Sequence, residues 1–248
     1  MIDWWWDIVY LSRYLPRFLD GVRITVEVSI LGFALGMAIG LLGAATRQSR
    51  ITPLRALVAA YVEIIRNTPT LVQIFLIYFG LPTMGLNLSN YWAGVIALGV
   101  SGGGYFIEII RAGFDAIPGG QREAARTLGL SSSATYFQVL LPQAVRTVYP
   151  PIIGQFIQMI LGSSMLSIVG VQELTGESQL INAATYRTIP TFLIALVLYL
   201  VLTNVVSLLS GALGRVMFRA PLTAHEQRAT RPATWRSRFA SFGTRGAR

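Results

Sequence analysis

Crossing a hydrocarbon core of about 30 Å takes a helix of roughly 20 mainly apolar residues. Windows of that kind recur five times along the chain, at residues 24–45, 54–79, 91–110, 145–165 and 189–213. The last is the cleanest, while Pro150 and Pro151 predict an interruption of the fourth. Apolar residues run all round these segments, whereas a helix of a soluble bundle would carry one apolar stripe. The pattern predicts an all-α membrane protein of about five transmembrane helices.

Three acids, Asp3, Asp7 and Asp20, precede the first window. Although Gly43-Ala44-Ala45 resembles a small-residue cleavage region, a secretory signal would begin with a basic stretch and a shorter apolar run. The window therefore reads as a span. Ahead of it, Trp4-Trp5-Trp6 with Tyr10, Tyr14 and Phe18 predicts an aromatic belt on an interfacial segment over residues 1–20. A transmembrane domain is then expected over residues 21–214, and a basic, disordered tail over 215–248.

Composition narrows the chemistry. Hydrophobic residues make up 53% of the chain and charged ones 12%, against about 25% charged in soluble domains. There is no Cys, and the lone His225 rules out paired-histidine metal sites. All 20 basic residues are Arg, so no GxxxxGK[ST] phosphate loop exists and no cofactor is expected in this chain. Any ATP-Mg used through that machinery belongs to a partner. Much of the +9 charge lies in the tail, where eight arginines face only Glu226. Aromatics there are limited to Trp235, Phe239 and Phe242, with no folded module, so attraction to anionic lipid is expected rather than nucleic-acid binding. With the N-terminus outside and the C-terminus in the cytoplasm, fifteen arginines fall on the inner side and Arg13, Arg17, Arg23 and Arg187 on the outer. Arg66 falls within the second window.

The most informative loop spans about residues 113–145 on the inner side. After Pro118-Gly119-Gly120 a short helix is expected at about Gln121, with Glu123 in its first turn, where a negative charge complements the helix dipole. Gly129 suits a left-handed stop, and Ser131, Ser132 and Ser133 can cap a second short helix limited by Pro142. Ala124, Ala125 and Leu128 leave a small apolar surface that a partner's groove could close over. The shape alone also fits an ordered loop without a partner.

Glu123-Ala124-Ala125, three residues, Gly129, nine residues, then Val139-Leu140-Leu141-Pro142 resembles the EAA signature of permease subunits of bacterial ABC importers, departing only where Val139 replaces the usual Ile. The flanks resemble the polar amino acid uptake (histidine/glutamate/glutamine/arginine/opine) family. They are Val62-Glu63-Ile64-Ile65-Arg66-Asn67-Thr68-Pro69, Gln73, Tyr78-Phe79-Gly80-Leu81-Pro82, Gly104-Tyr105, Glu108, Arg111-Ala112-Gly113, Gly120-Gln121 and Ser167-Ile168-Val169-Gly170-Val171-Gln172-Glu173-Leu174-Thr175. That resemblance implies a type I ABC importer permease fold (MetI-like) in the bacterial cytoplasmic (inner) membrane. It implies Glu123, Ala124, Ala125, Leu128 and Gly129 as the coupling surface for a cytoplasmic ATPase dimer. Further implied partners are a second permease chain, identical or not, and a periplasmic or lipid-anchored solute-binding protein. Alternating access would carry a polar amino acid to the cytoplasm, with no bond chemistry in this chain. An ATP-independent carrier or channel is the alternative, in which the loop would have no purpose.

Glu63 and Arg66, then Glu108 and Arg111, sit three apart in a repeated Glu-Ile-Ile-Arg string, so each pair shares a helix face. Charges at bilayer depth are paired or face a cavity; a gate and simple structural pairing both fit, and Arg111 could snorkel to the interface. Gln73, Ser101, Tyr105, Gly162, Ser163 and Ser164 complete the candidate pathway. Ser101-Gly102-Gly103-Gly104 could unwind beside a ligand or pack tightly. Where many members of the resembled family read Lys-Asp-Thr-Ser-Leu, this chain has Leu161-Gly162-Ser163-Ser164-Met165, which removes the acid expected to serve a cationic substrate. Glu173 and Glu177 read as a solvated outer face or a contact for a binding protein.

Overall fold

The computed structural model describes residues 10–47 and 49–218. The Trp4–Trp6 belt, His225 and the tail beyond residue 218 lie outside the described residues. Eight helices carry the fold: α1 Leu15–Arg47, α2 Thr52–Asn67, α3 Thr70–Thr83, α4 Asn90–Asp115, α5 Gly120–Thr127, α6 Leu141–Gly162, α7 Leu174–Thr185 and α8 Thr188–Met217. Of the described residues, 10–211 belong to one compact unit, and a second begins at Ala212.

Four segments are each long and apolar enough to span a membrane, and a fifth span arises only if α2 and α3 count together. Their axes bend by 113° at Thr68-Pro69, so the single window expected over residues 54–79 is two helices. Proline has no N–H to donate, and it drives the residue before it out of the helical region. Thr68 accordingly sits at φ −117° and ψ 145°. Gln73 braces the elbow: its Nε2 donates to the carbonyls of Ile65 (2.9 Å) and Thr68 (3.1 Å) and to Thr68 Oγ1 (2.9 Å). Carbonyls freed by a break at membrane depth need such partners, because lipid offers none.

The fourth segment also differs from expectation. Helix α6 continues through Pro150 and Pro151. It follows directly on a helical turn at Ser132–Ala134 and a π-helical stretch at Thr135–Leu140, so no separate second short helix ends at Pro142. Pro142 instead lies in the first turn of α6, where a missing N–H is tolerated. Gln143 Nε2 donates to the Val139 carbonyl at 2.8 Å, supplementing the ladder at this wide turn.

The core forms where glycine lets backbones approach. A Cβ added at Gly36 would lie 3.0 Å from the Gly99 carbonyl oxygen, and one at Gly40 would lie 2.5 Å from Phe106 Cβ. Helices α1 and α4 thus pack through small residues, as membrane helices without a hydrophobic drive between them must. Around this seam Val28, Ile74, Leu98, Phe106, Met159 and Leu166 are buried together. A smaller cluster joins Leu11, Phe18, Leu174, Ile181 and Ala195. Phe18 is therefore core rather than belt, and α1 passes through Asp20-Gly21 without a break. By contrast, only 6% of the most apolar stretch of α8 is buried, leaving Leu200, Val201 and Leu208 exposed for lipid or protein neighbors.

Glu173 and Glu177 prove to be buried, not a solvated face. Glu173 caps α7, accepting from Gly176 N (2.8 Å), Tyr199 OH (2.6 Å) and Thr25 Oγ1 (3.3 Å). Burial pushes its carboxyl above the ordinary carboxylate range, opposed by these hydrogen bonds. Glu177 pairs with Arg17 at 2.8 Å. The two acids tie α7 to α1 and α8.

Candidate functional site

Between α4 and α6 the chain forms a short protruding knuckle. Helix α5 has Glu123 in its first turn and stops at Gly129, whose φ of +76° is readily adopted only without a Cβ. Leu130 N donates to the Ala125 carbonyl (3.0 Å) and Gly129 N to the Arg126 carbonyl (2.9 Å), the paired bonds of a Schellman stop. Ser131 Oγ then accepts from Ala134 N at 3.1 Å and starts the next turn. Glu123, Ala124, Leu128 and Gly129 are exposed, with Leu128 at 80%. Ala125 differs: it is 3% exposed and faces the chain's own interior, so it seats α5 instead of presenting a contact.

The knuckle is tied to the spans on both sides. Tyr136, in the π-helical stretch, stacks on Phe114 of α4 with ring centroids 5.7 Å apart and planes 10° apart. A Cβ on Gly113 of α4 would lie 2.0 Å from Val148 Cγ1 of α6, so these helices touch just above the knuckle. The knuckle is therefore anchored to α4 and α6 together.

Those same helices line a cavity of about 420 Å³. Ser101, Gly102 and Tyr105 of α4 face Gln155, Gln158 and Gly162 of α6 across it, and Thr70 at the start of α3 contributes a hydroxyl. Pockets of about 300–1,000 Å³ suit small molecules. Among the described residues the side chains of Ser101, Tyr105, Gln155 and Gln158 have no hydrogen-bond partner, and no charged residue lines the cavity. The surface offers amide and hydroxyl donors and acceptors only.

The pathway candidates divide. Ser101, Tyr105 and Gly162 come together here. Ser163 is buried with its hydroxyl donating to the Ile160 carbonyl (2.8 Å), and Ser164 donates to that of Leu161 (2.7 Å). Gln73 stays at the elbow. Glu63 and Arg66 are exposed and do not pair; Asn67 Nδ2 donates to Glu63 Oε1 at 2.7 Å instead. The elbow leaves them in the last turns of α2, away from the cavity. Glu108 and Arg111 do form an ion pair, which Asp115 extends. Through Ser101–Gly104 the helix is unbroken; Gly103 and Gly104 serve close approach to Ile39 and Ile65.

Sequence reading missed Gln155, Gln158 and Thr70. The signal was present: Gln155, Gln158 and Gly162 recur at helical spacing as a polar stripe on an otherwise apolar span.

Comparison with known proteins follows the same lines. Residues 32–219 match the family model described as "Binding-protein-dependent transport system inner membrane component". The chain is similar to the L-cystine transport system permease protein TcyB of Bacillus subtilis (strain 168), 36% identical over 215 residues, covering 86% of this chain and 92% of the relative. It is also similar to the probable glutamine ABC transporter permease protein GlnM of the same organism, 36% identical over 197 residues, with 79% and 91% covered. Among solved structures, an amino acid ABC transporter crystallized with histidines matches with a TM-score of 0.80 and 36% identity, covering 84% of this chain and 98% of that one.

Proposed function

Because the chain belongs to the family of binding-protein-dependent transport system inner membrane components, it is the permease subunit of an ATP-driven importer, and we propose that it passes a polar amino acid through the cavity between α4 and α6. It is a multi-pass membrane protein that works with an ATPase and a solute-binding protein. In the proposed arrangement the knuckle is cytoplasmic, the N-terminus is outside, and a second permease chain completes the pathway.

One observation carries the reading: a rigidly stopped helix presenting Leu128 at 80% exposure lies between the two helices that line the cavity. A large apolar side chain so exposed at the tip of a polar loop suits a partner's groove. The motor's closure, acting on α5, would rock α4 against α6 and alternate access to the cavity. Each ligand biases that equilibrium only by its differential affinity for the two states. ATP-Mg would sit on the ATPase, and this chain would conduct without making or breaking bonds.

Cargo recognition would rest on Ser101, Tyr105, Gln155, Gln158 and Thr70. A lining without a fixed charge favors a side chain that hydrogen-bonds over one that needs a counter-ion, as do those of cystine and glutamine, the amino acids for which two similar permeases are named. The test is uptake of labeled amino acids into proteoliposomes holding the permease, ATPase and binding protein. ATP-dependent uptake of a polar amino acid, weakened by Gln158→Leu, supports the reading; uptake that runs without ATP or the ATPase overturns it.

A further inference from the structure

A second cavity, of about 620 Å³, lies beside the knuckle and takes no part in the proposed path. Four arginines reach it from separate elements: Arg47 ends α1, Arg55 opens α2, Arg111 nears the end of α4, and Arg122 belongs to α5. Arg111 is held by Glu108 and Asp115. Among the described residues Arg47, Arg55 and Arg122 make no ion pair. Among the described residues these four guanidinium groups pair with two carboxylates in all, so two positive charges stand uncompensated. Like charges gathered this way repel unless an anion joins them.

Two further features say which anion fits. The N-terminus of α2 opens on the same cavity through Thr52, and its cap residue, Ile51, supplies no side-chain hydrogen bond. Pro53 has no N–H and Arg55 N is bonded to the Ile51 carbonyl, so the free N–H groups of Thr52 and Leu54, with the positive dipole end, are what favor a phosphate. Within the same cavity Ala56, Ala59 and Phe114 form an apolar wall against which acyl chains can lie. A phosphate on a hydrocarbon tail satisfies both surfaces, whereas a free phosphate uses only the first.

We propose that this cavity binds the phosphate headgroup of an anionic lipid at the inner leaflet, clamping the α1–α2 turn to the start of the knuckle. The inference rests on the orientation proposed above. Bidentate guanidinium contacts make arginine the suited donor, and basic pockets between membrane helices on the inner face are of this kind.

The assembled transporter is placed in nanodiscs of phosphatidylcholine with or without phosphatidylglycerol, and retained lipid is read by native mass spectrometry. Phosphatidylglycerol should be retained preferentially. Arg47→Gln with Arg55→Gln should cut the preference by roughly 30-fold, about what two headgroup arginines confer. The double Lys variant should keep most of it, showing that charge and not misfolding is at issue. Equal retention by the wild type and the Gln variant overturns the proposal. Displacement of the lipid by millimolar inorganic phosphate would assign the site to a free anion and overturn the lipid source. A single thiol at Ala59→Cys, in this cysteine-free chain, separates the premises. Labeling from outside overturns the orientation and this inference together. Labeling only from the cytoplasm, with no lipid preference, overturns this inference alone.

Discussion

Substituting Gly129 isolates the mechanical role of the knuckle. Its φ is +76°, and nothing lies within 4 Å of an added Cβ. Within the chain, Gly129→Ala therefore costs only the backbone term for a left-handed L-residue, about 1–2 kcal/mol. A cost of that size lowers the population of the stopped, docking-competent helix by about 5- to 30-fold. Gly129→Asn should recover much of the loss, because asparagine visits the left-handed region more readily. The assay is a binding titration of the ATPase against nanodisc-held permease, alongside ATP-driven uptake. The expected order is Gly, then Asn, then Ala. Were Asn weaker than Ala, side-chain bulk against the partner would be the cause and the backbone reasoning would fail; unchanged affinity in both variants would refute a docking role for the stop.

Other expectations concern the scaffold. Gly40→Leu should force α1 from α4, since even a Cβ meets Phe106 Cβ at 2.5 Å; a loss of about 1–3 kcal/mol should appear as a lowered Tm, while Gly154→Ala, with nothing within 4 Å, should not lower it. Gln73→Leu strips the elbow of its three hydrogen bonds and should lower stability by about 1–3 kcal/mol, leaving the uptake KM unchanged; a raised KM with normal stability would return Gln73 to the pathway. Burial raises the pKa of Glu173, so the folded state holds its proton more tightly than the unfolded one. Its stabilizing contribution is fullest below the unfolded pKa and is lost as pH rises through the folded value. Glu173→Gln should flatten that decline in a pH series of thermal melts, and an unchanged slope would contradict it.

Most of the architecture was legible because lipid permits so few solutions. Apolar length fixed four of the spans, and the knuckle followed from Glu123, Gly129 and Ser131, whose preferences are local. Where tertiary contacts decide, the reading failed. Pro69 broke a continuous apolar run that hydropathy alone treats as one span. Pro150 and Pro151 failed to break another, and Pro142 fell in a first turn instead of ending one. Ala125 and Phe18 turned inward because helix phase, invisible to composition, set their faces. The cavity was half seen: Ser101, Tyr105 and Gly162 were found, but Gln155 and Gln158 hid inside a window scored only for apolarity.

The central claim is that the tip of α5 is where an external motor grips this chain. Since the sequence contains no cysteine, Leu128→Cys provides one thiol at that tip for crosslinking to single-cysteine ATPase variants during turnover. Crosslinks confined to one groove of the ATPase, with uptake stopped once they form, are the predicted result. Continued ATP-driven uptake with position 128 crosslinking to nothing would contradict the account.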